Sequence, residues 1–146
     1  MSMGRLILLT WVALPLTAQT LETVKQEQNL TRRSQRALEL AERELAVAQG
    51  VVREFGSKTQ LQAALDIVAE ASELALQALR ETGRPPRRLS GQYKRGELKT
   101  RDFLKKLEDL EKALSLDDRP MAEASRKRVF EVHEEFLLGV MGQKRK

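Results

Sequence analysis

Apolar positions between Tyr93 and Met141 recur every three or four residues, which is the spacing of one face of an amphipathic helix. Before the turn at residues 116–120 this face comprises Tyr93, Gly96, Thr100, Phe103, Leu107, Leu110 and Leu114. After the turn it comprises Ala122, Ser125, Val129, Val132, Phe136 and Val140. The pattern predicts two helices, over about 91–115 and 119–139, joined by a sharp turn.

The same spacing in the preceding part of the chain predicts helices over about 22–55 and 58–82. Gly50 lies inside the first of these, but the periodicity continues across it, so we predict one uninterrupted helix. Gly56 follows that helix, at a position where glycine commonly takes the left-handed conformation. Ser57 is a suitable N-cap for the next helix. A connection of two residues leaves room only for a reversal, so these helices are predicted to form an antiparallel hairpin.

One linker separates the two predicted hairpins. Gly83 is expected to end the second helix, and Pro85 and Pro86 prevent the helix from resuming. Two consecutive prolines predict a stiff, extended segment over residues 84–89. Ser90 is the predicted N-cap of the third helix, because the apolar spacing of that helix is already in phase from Tyr93 onward.

The regular pattern defines one domain over residues 30–142. Ahead of it lies a polar, Gln-rich segment, 19–29, which we predict to be a helical extension that frays or projects; residues 143–146 form a basic tail. No segment alternates apolar and polar residues with a period of two, so the predicted fold class is all-α. Four helices of similar length with short reversals predict an antiparallel four-helix bundle of two hairpins. The open alternative is a homodimer in which two separate hairpins complete each other's cores.

Residues 1–18 differ in character from the rest of the chain. Arg5 is their only charged residue, the run 6–14 is almost entirely apolar, and Pro15 and the small residue Ala18 follow. This order matches a secretory signal peptide, with cleavage predicted after Ala18. The run is shorter than the roughly 20 apolar residues of a transmembrane helix. An uncleaved anchor and a buried helix of the fold are the alternatives.

Composition narrows the chemistry available to the chain. It contains no cysteine, which excludes disulfides, thiolate nucleophiles and cysteine-based metal sites. The only histidine, His133, is expected at the edge of the core or on the surface, and we predict no metal site. Most acidic residues have a basic residue three or four positions away, and no acid interrupts an apolar stripe, so no catalytic carboxylate pair is predicted. In the absence of phosphate-loop and nucleophile motifs, we predict no enzyme activity and no cofactor.

Charge supplies the strongest functional indication. The chain carries 26 basic and 21 acidic residues, a formal net charge of +5, and nine of the basic residues fall within residues 84–106 against two acidic ones. Our candidate partner-binding residues are Arg84, Arg87, Arg88, Tyr93, Lys94, Arg95 and Lys99. Tyr93 is included as a possible stacking group among the cations. The alternative is a solvated linker whose arginines cap the carboxyl end of the second helix.

Export and a basic helical domain together suggest a non-enzymatic protein that binds another macromolecule in the bacterial envelope, in the periplasm or outside the cell. Its expected partner is a protein or an anionic envelope surface. In general character the chain resembles small bacterial periplasmic helical proteins, some of which are holdase chaperones; no functional residue is carried over from that likeness. The alternatives are a nucleic-acid-binding helical protein, which is less favoured because export separates the chain from nucleic acid, and a carrier of a small molecule or metal in the bundle core.

Overall fold

A computed structural model describes residues 20–142, and this part of the chain forms helices joined by short turns, with no strand. Its α-helices are α1 (Leu21–Lys25), α2 (Leu30–Arg53), α3 (Lys58–Glu81), α4 (Ser90–Ala113) and α5 (Arg119–Gly142), and a 3₁₀ turn spans Pro86–Leu89. The prediction of an all-α fold is confirmed. The predicted signal peptide and the basic tail lie outside the described residues. Within 20–142 no helix is both long and apolar enough to cross a bilayer.

Two of the predicted helix ends are formed by the residues that the sequence indicated, Ser57 and Gly83. Ser57 caps α3, since its side chain accepts a hydrogen bond from the Gln60 backbone N–H at 3.1 Å. Gly83 follows α3 with a positive φ of 70°. Ser90 does not cap α4: it is the first residue of that helix, and Leu89 in front of it makes no side-chain capping bond.

The expected continuous helix over 22–55 is divided at residues 26–29. Asn29 caps α2 by accepting a hydrogen bond from the Arg32 backbone N–H at 3.0 Å, which starts a new helix there. The short helix α1 does not project. Val24 is buried against the core, and the carboxylate of Glu27 pairs with Arg36 at 2.6 Å.

The α2–α3 turn places a phenylalanine, not a glycine, in the left-handed conformation. Phe55 has a φ of 53°, whereas Gly56 was the predicted left-handed residue. The Gly56 N–H donates to the Val51 carbonyl at 2.8 Å and the Phe55 N–H to that of Val52 at 3.3 Å, which together form a Schellman motif with Phe55 at its left-handed position. For a residue with a Cβ this conformation costs roughly 1–2 kcal/mol.

The long helices pack in pairs, α2 along α3 and α4 along α5, and the pairs meet through contacts of α3 with α5 and of α2 with α4. Alanines dominate the buried side of α3, which allows its neighbours to approach closely. A buried hydrogen bond links the pairs, because the Ser125 hydroxyl on α5 donates to the Leu65 carbonyl on α3 at 2.9 Å. Burial of Phe103 and of Phe136 contributes about 1.5–3 kcal/mol each.

Two glycines set the α4–α5 contact. Gly96 on α4 faces the ring of Phe136, and Gly139 on α5 faces the ring of Tyr93. The two rings meet edge to face, with centroids 5.8 Å apart and planes at 75°. Each ring therefore occupies the space that a side chain on the opposite glycine would fill, and the contact holds the start of α4 against the end of α5.

Candidate macromolecule-binding surface

The segment with most of the unpaired arginines is more compact than the extended linker expected from its two prolines. Proline fits the first position of a 3₁₀ turn because its φ is already near the required value. The Arg88 backbone N–H donates to the Pro85 carbonyl at 2.9 Å, and the buried side chain of Leu89 fixes the turn to the core. The side chains of Arg87 and Arg88 are exposed on the outside of this turn.

We define the basic surface as Arg84, Arg87, Arg88, Lys94, Arg95 and Lys99. The guanidinium groups of Arg84, Arg87, Arg88 and Arg95 are exposed and form no ion pair within residues 20–142. Most other basic side chains of this part of the chain are paired: Lys25, Arg32, Arg33, Arg36, Lys58, Arg80, Arg101, Lys106, Lys112, Arg126 and Arg128. Four of the cations without an ion pair in residues 20–142 therefore belong to this surface.

The capping role that we considered for these arginines is filled by other groups. The Thr82 hydroxyl donates to the Leu79 carbonyl at 2.6 Å, and the Gly83 N–H donates to the Arg80 carbonyl at 3.1 Å. Within the described residues, no guanidinium group of the basic surface donates to the carboxyl end of α3. Helix capping does not account for these arginines.

The two lysines of the basic surface already have acidic partners. Lys99 Nζ lies 2.9 Å from Glu42 Oε2 and links α4 to α2, and Lys94 Nζ lies 3.6 Å from Glu97 Oε2. The Lys99–Glu42 pair is solvent-accessible on both sides and contributes about 0–1 kcal/mol, whereas Glu97 in the other pair is buried. Both ammonium groups remain accessible, but their attraction to a partner is weakened by the neighbouring carboxylates.

Tyr93, which we predicted as a stacking group, lies inside the α4–α5 contact. Only 5% of the residue is exposed, and its ring packs on Gly139 and Phe136, so neither ring face is open to a ligand. Burial raises the pKa of its phenol, the opposing effect of Arg80 is smaller, and Glu135 raises it further. Tyr93 therefore lies beneath the basic surface, with its ring packed between α4 and α5.

A groove of about 580 Å³ lies beside Arg84, between the carboxyl ends of α3 and α5. Its apolar walls come from Pro85, Pro86, Tyr93 and Leu138, and the Arg80–Glu135 ion pair, at 2.7 Å, borders it. Leu138 is 60% exposed. The sequence pattern did not mark Leu138, because a single exposed leucine on a helix is common. A cation next to an apolar wall suits a ligand that is both anionic and partly apolar.

A second groove, of about 480 Å³, follows the outer face of α4. Lys94, Arg95 and Lys99 line it together with the half-exposed Leu98 and with Asp102, which pairs with Lys106. Arg87 and Arg88 occupy the 3₁₀ turn between Arg84 and this face. The structure thus distributes the basic surface over two grooves and does not gather it into one enclosed pocket.

Sequence reasoning missed one buried acid. Glu97 on α4 is 1% exposed, so the expectation that no acid interrupts an apolar stripe is wrong at this position. Its Oε1 pairs with Arg101, one turn along the same helix, and its Oε2 accepts no hydrogen bond within the described residues. The spacing of Glu97 and Arg101 is that of an ordinary surface pair, which is why the sequence pattern did not reveal its burial.

His133 is half-buried, as the sequence suggested. Its Nδ1 lies 2.9 Å from the Thr100 hydroxyl, whose oxygen is also 2.7 Å from the Gly96 carbonyl oxygen, so the imidazole takes part in the α4–α5 contact. Residues 20–142 contain no group of three or more His, Cys, Asp or Glu side chains placed to hold a metal ion.

No family model, curated protein or solved structure matches this chain.

Proposed function

We propose that this chain is a non-enzymatic protein of the bacterial envelope that binds an anionic macromolecular partner through the basic surface. Residues 1–18 would direct its export to the periplasm or the exterior. The frame would be an antiparallel four-helix bundle formed by the α2–α3 and α4–α5 hairpins. The observation that carries the proposal is the cluster of four exposed arginines without acidic partners, in a chain that pairs most of its other cations.

The mechanism is electrostatic attraction followed by directional hydrogen bonding. An arginine without an intramolecular partner keeps all five N–H donors available to carboxylate or phosphate oxygens, and no existing ion pair must break. Between exposed charges, attraction over more than about 8 Å is screened at physiological ionic strength. Affinity should therefore fall as salt is raised.

The chemistry of the remaining polar groups supports a binding role over a catalytic one. Glu97 pairs with Arg101 on its own helix, and His133 bonds to Thr100 inside the α4–α5 contact. Glu97 is 1% exposed and His133 is half-buried, whereas a general acid or base must come within hydrogen-bond reach of a substrate.

Two matched charge-reversed variants test the proposal. Arg84→Glu/Arg95→Glu changes the basic surface, and Arg53→Glu/Lys127→Glu changes two other exposed, unpaired cations. Both variants lower the formal net charge of +5 by the same amount. Binding of the full chain to labelled polyglutamate, duplex DNA and phosphatidylglycerol vesicles is then measured against salt concentration. Weaker binding to at least one ligand in the first variant alone supports the proposal; equal behaviour of both variants with every ligand refutes it.

A chaperone-like form of binding is favoured by a separate observation at the far end of the molecule. Phe55 is 95% exposed, and Leu116 in the α4–α5 turn is also exposed. Phe55 borders a groove of about 310 Å³ with Val52, Leu61 and Leu114, which could hold apolar segments of a client. Suppression of client aggregation should then be lost in Phe55→Gly and retained in Phe130→Ala, which alters another exposed aromatic residue. Equal suppression by both variants and the unchanged chain would exclude this apolar groove as the client site.

A further inference from the structure

The start of α2 and the end of α5 both lie beside the basic surface. Residues 28–31, where α2 begins, line a groove of about 410 Å³ together with Thr82 and Arg84. Leu138 and Gly139, near the end of α5, line the larger groove that Arg84 also borders. Arg84 thus borders one groove with the start of α2 and another with the end of α5.

The sequence that follows α5 is basic: Gly142 is followed by Gln143 and then by Lys144, Arg145 and Lys146.

Exposed aliphatic side chains accompany the cations at this end. Leu138 and Met141 near the end of α5 and Leu98 on α4 are all exposed. Leu138 lines the same groove as Arg84, and Leu98 lines the same groove as Arg95. Each groove of the basic surface therefore places an aliphatic group next to a guanidinium group.

We propose, building on the function above, that the basic surface docks on a bilayer containing anionic phospholipid. Arginines bind lipid phosphate oxygens with paired N–H donors. Leu98, Leu138 and Met141 then enter the boundary between headgroups and acyl chains. Cationic and apolar contacts act together in peripheral membrane binding. The molecule would sit with the carboxyl end of α5 toward the bilayer and the turn at Phe55 away from it.

Lipid is a better fit than nucleic acid or an acidic protein. Tyr93 is the only aromatic side chain that borders either groove, and its ring faces are covered, so base stacking is not available. An acidic protein would match the arginines, but an exposed aliphatic side chain beside a cation in each groove suits the boundary between lipid headgroups and acyl chains. A bilayer with anionic headgroups accommodates the cations and the exposed aliphatic groups together.

Vesicle flotation with the full chain tests the inference. Vesicles of phosphatidylcholine alone are compared with vesicles that also contain phosphatidylglycerol, for the unchanged chain, for Arg84→Glu/Arg95→Glu and for the matched Arg53→Glu/Lys127→Glu. We expect binding that requires phosphatidylglycerol and is weakened more than about 20-fold in the first variant, against less than about threefold in the second. Leu138→Ser should weaken binding severalfold without changing its dependence on salt. Circular dichroism confirms that each variant is folded.

Three results would overturn the docking proposal. Equal binding to both kinds of vesicle would assign membrane attachment to the apolar run 6–14 alone, and equal weakening in the two variants would show that only net charge matters. Binding to polyglutamate or duplex DNA that depends on Arg84 and Arg95, without binding to vesicles, would overturn the lipid assignment and leave the proposed function standing. Loss of variant-dependent binding on every ligand would remove both.

Discussion

A single methyl group added to Gly96 or Gly139 should destabilise the fold, although alanine favours a helix. A Cβ built on Gly96 would lie 2.6 Å from Cζ of Phe136, and a Cβ built on Gly139 would lie 2.6 Å from Cε1 and 3.1 Å from Cγ of Tyr93. Carbon atoms pack best at about 3.5–4.0 Å, so each ring would have to move by about 1 Å. Phe136 is fully buried and Tyr93 nearly so, which leaves neither ring free space to enter.

The expected magnitude follows from two opposing effects. Replacing glycine by alanine in a helix interior gains about 0.8–1.0 kcal/mol, whereas overpacking a filled core costs typically 1–3 kcal/mol and occasionally more. We expect Gly96→Ala and Gly139→Ala each to lower the free energy of unfolding by about 1–2 kcal/mol. Gly91, five residues before Gly96 on the same helix, has no atom within 4 Å of its built Cβ. Gly91→Ala should therefore be neutral or stabilising by up to about 1 kcal/mol.

Urea unfolding followed by circular dichroism measures these changes, with similar m-values required for all variants. A smaller ring partner should rescue the fold: Gly96→Ala combined with Phe136→Leu should be more stable than the sum of the two single effects, with a coupling of about 1 kcal/mol or more. The reasoning is refuted if Gly96→Ala and Gly91→Ala shift stability in the same direction, or if the double variant shows no coupling.

Three further predictions concern single side chains. Phe55→Gly should raise the free energy of unfolding by about 1 kcal/mol in urea denaturation, because glycine takes the left-handed conformation without the penalty that phenylalanine bears. The absorbance of Tyr93, the only tyrosine, should show that its phenol ionises above the ordinary pKa near 10. Because the fold favours the neutral phenol, this contribution to stability should be fully present below pH 10 and be lost as the pH rises through the raised pKa. Tyr93→Phe should reduce that loss. Arg101→Ala should lower the free energy of unfolding by about 1–3 kcal/mol in urea denaturation, because it removes the main partner of the buried Glu97 carboxylate. Glu97→Met/Arg101→Met should lower it less, because it removes the buried carboxylate together with its partner.

The parts of the fold that could be predicted from the sequence are those governed by local chemistry and by helical periodicity. The apolar spacing of the last two helices matches the buried faces of α4 and α5, and Ser57 and Gly83 act at helix ends as their residue types suggest. The positions missed depend on longer-range effects. Asn29 caps a new helix, and Glu27 pairs with Arg36 on α2, so the chain breaks between α1 and α2. The apolar spacing continues across this break, which is why the sequence predicted one continuous helix.

The candidate surface was predictable in its charges but not in its packing. Arginine density along the sequence indicated Arg84, Arg87, Arg88 and Arg95, but only the fold distinguishes these from Lys94 and Lys99, which have acidic partners. Tyr93 belongs to the apolar face that the sequence predicts for α4 but also stands among basic residues, and Gly139 on another helix provides the space that buries its ring. The contribution of Leu138 likewise depends on where α5 ends relative to the 3₁₀ turn, which no local pattern encodes.

The cost of the unpaired arginines argues that they serve a purpose outside the fold. Four exposed guanidinium groups on one short stretch repel one another, and this repulsion opposes folding. Capping of α3 does not require them, because Thr82 and Gly83 bind its last carbonyls. Packing does not require them either, since Leu89 fixes the turn from the inside. An anionic partner would remove the repulsion, so the same charges that weaken the free protein would strengthen the complex, and raising the salt concentration should stabilise the free protein while weakening the complex.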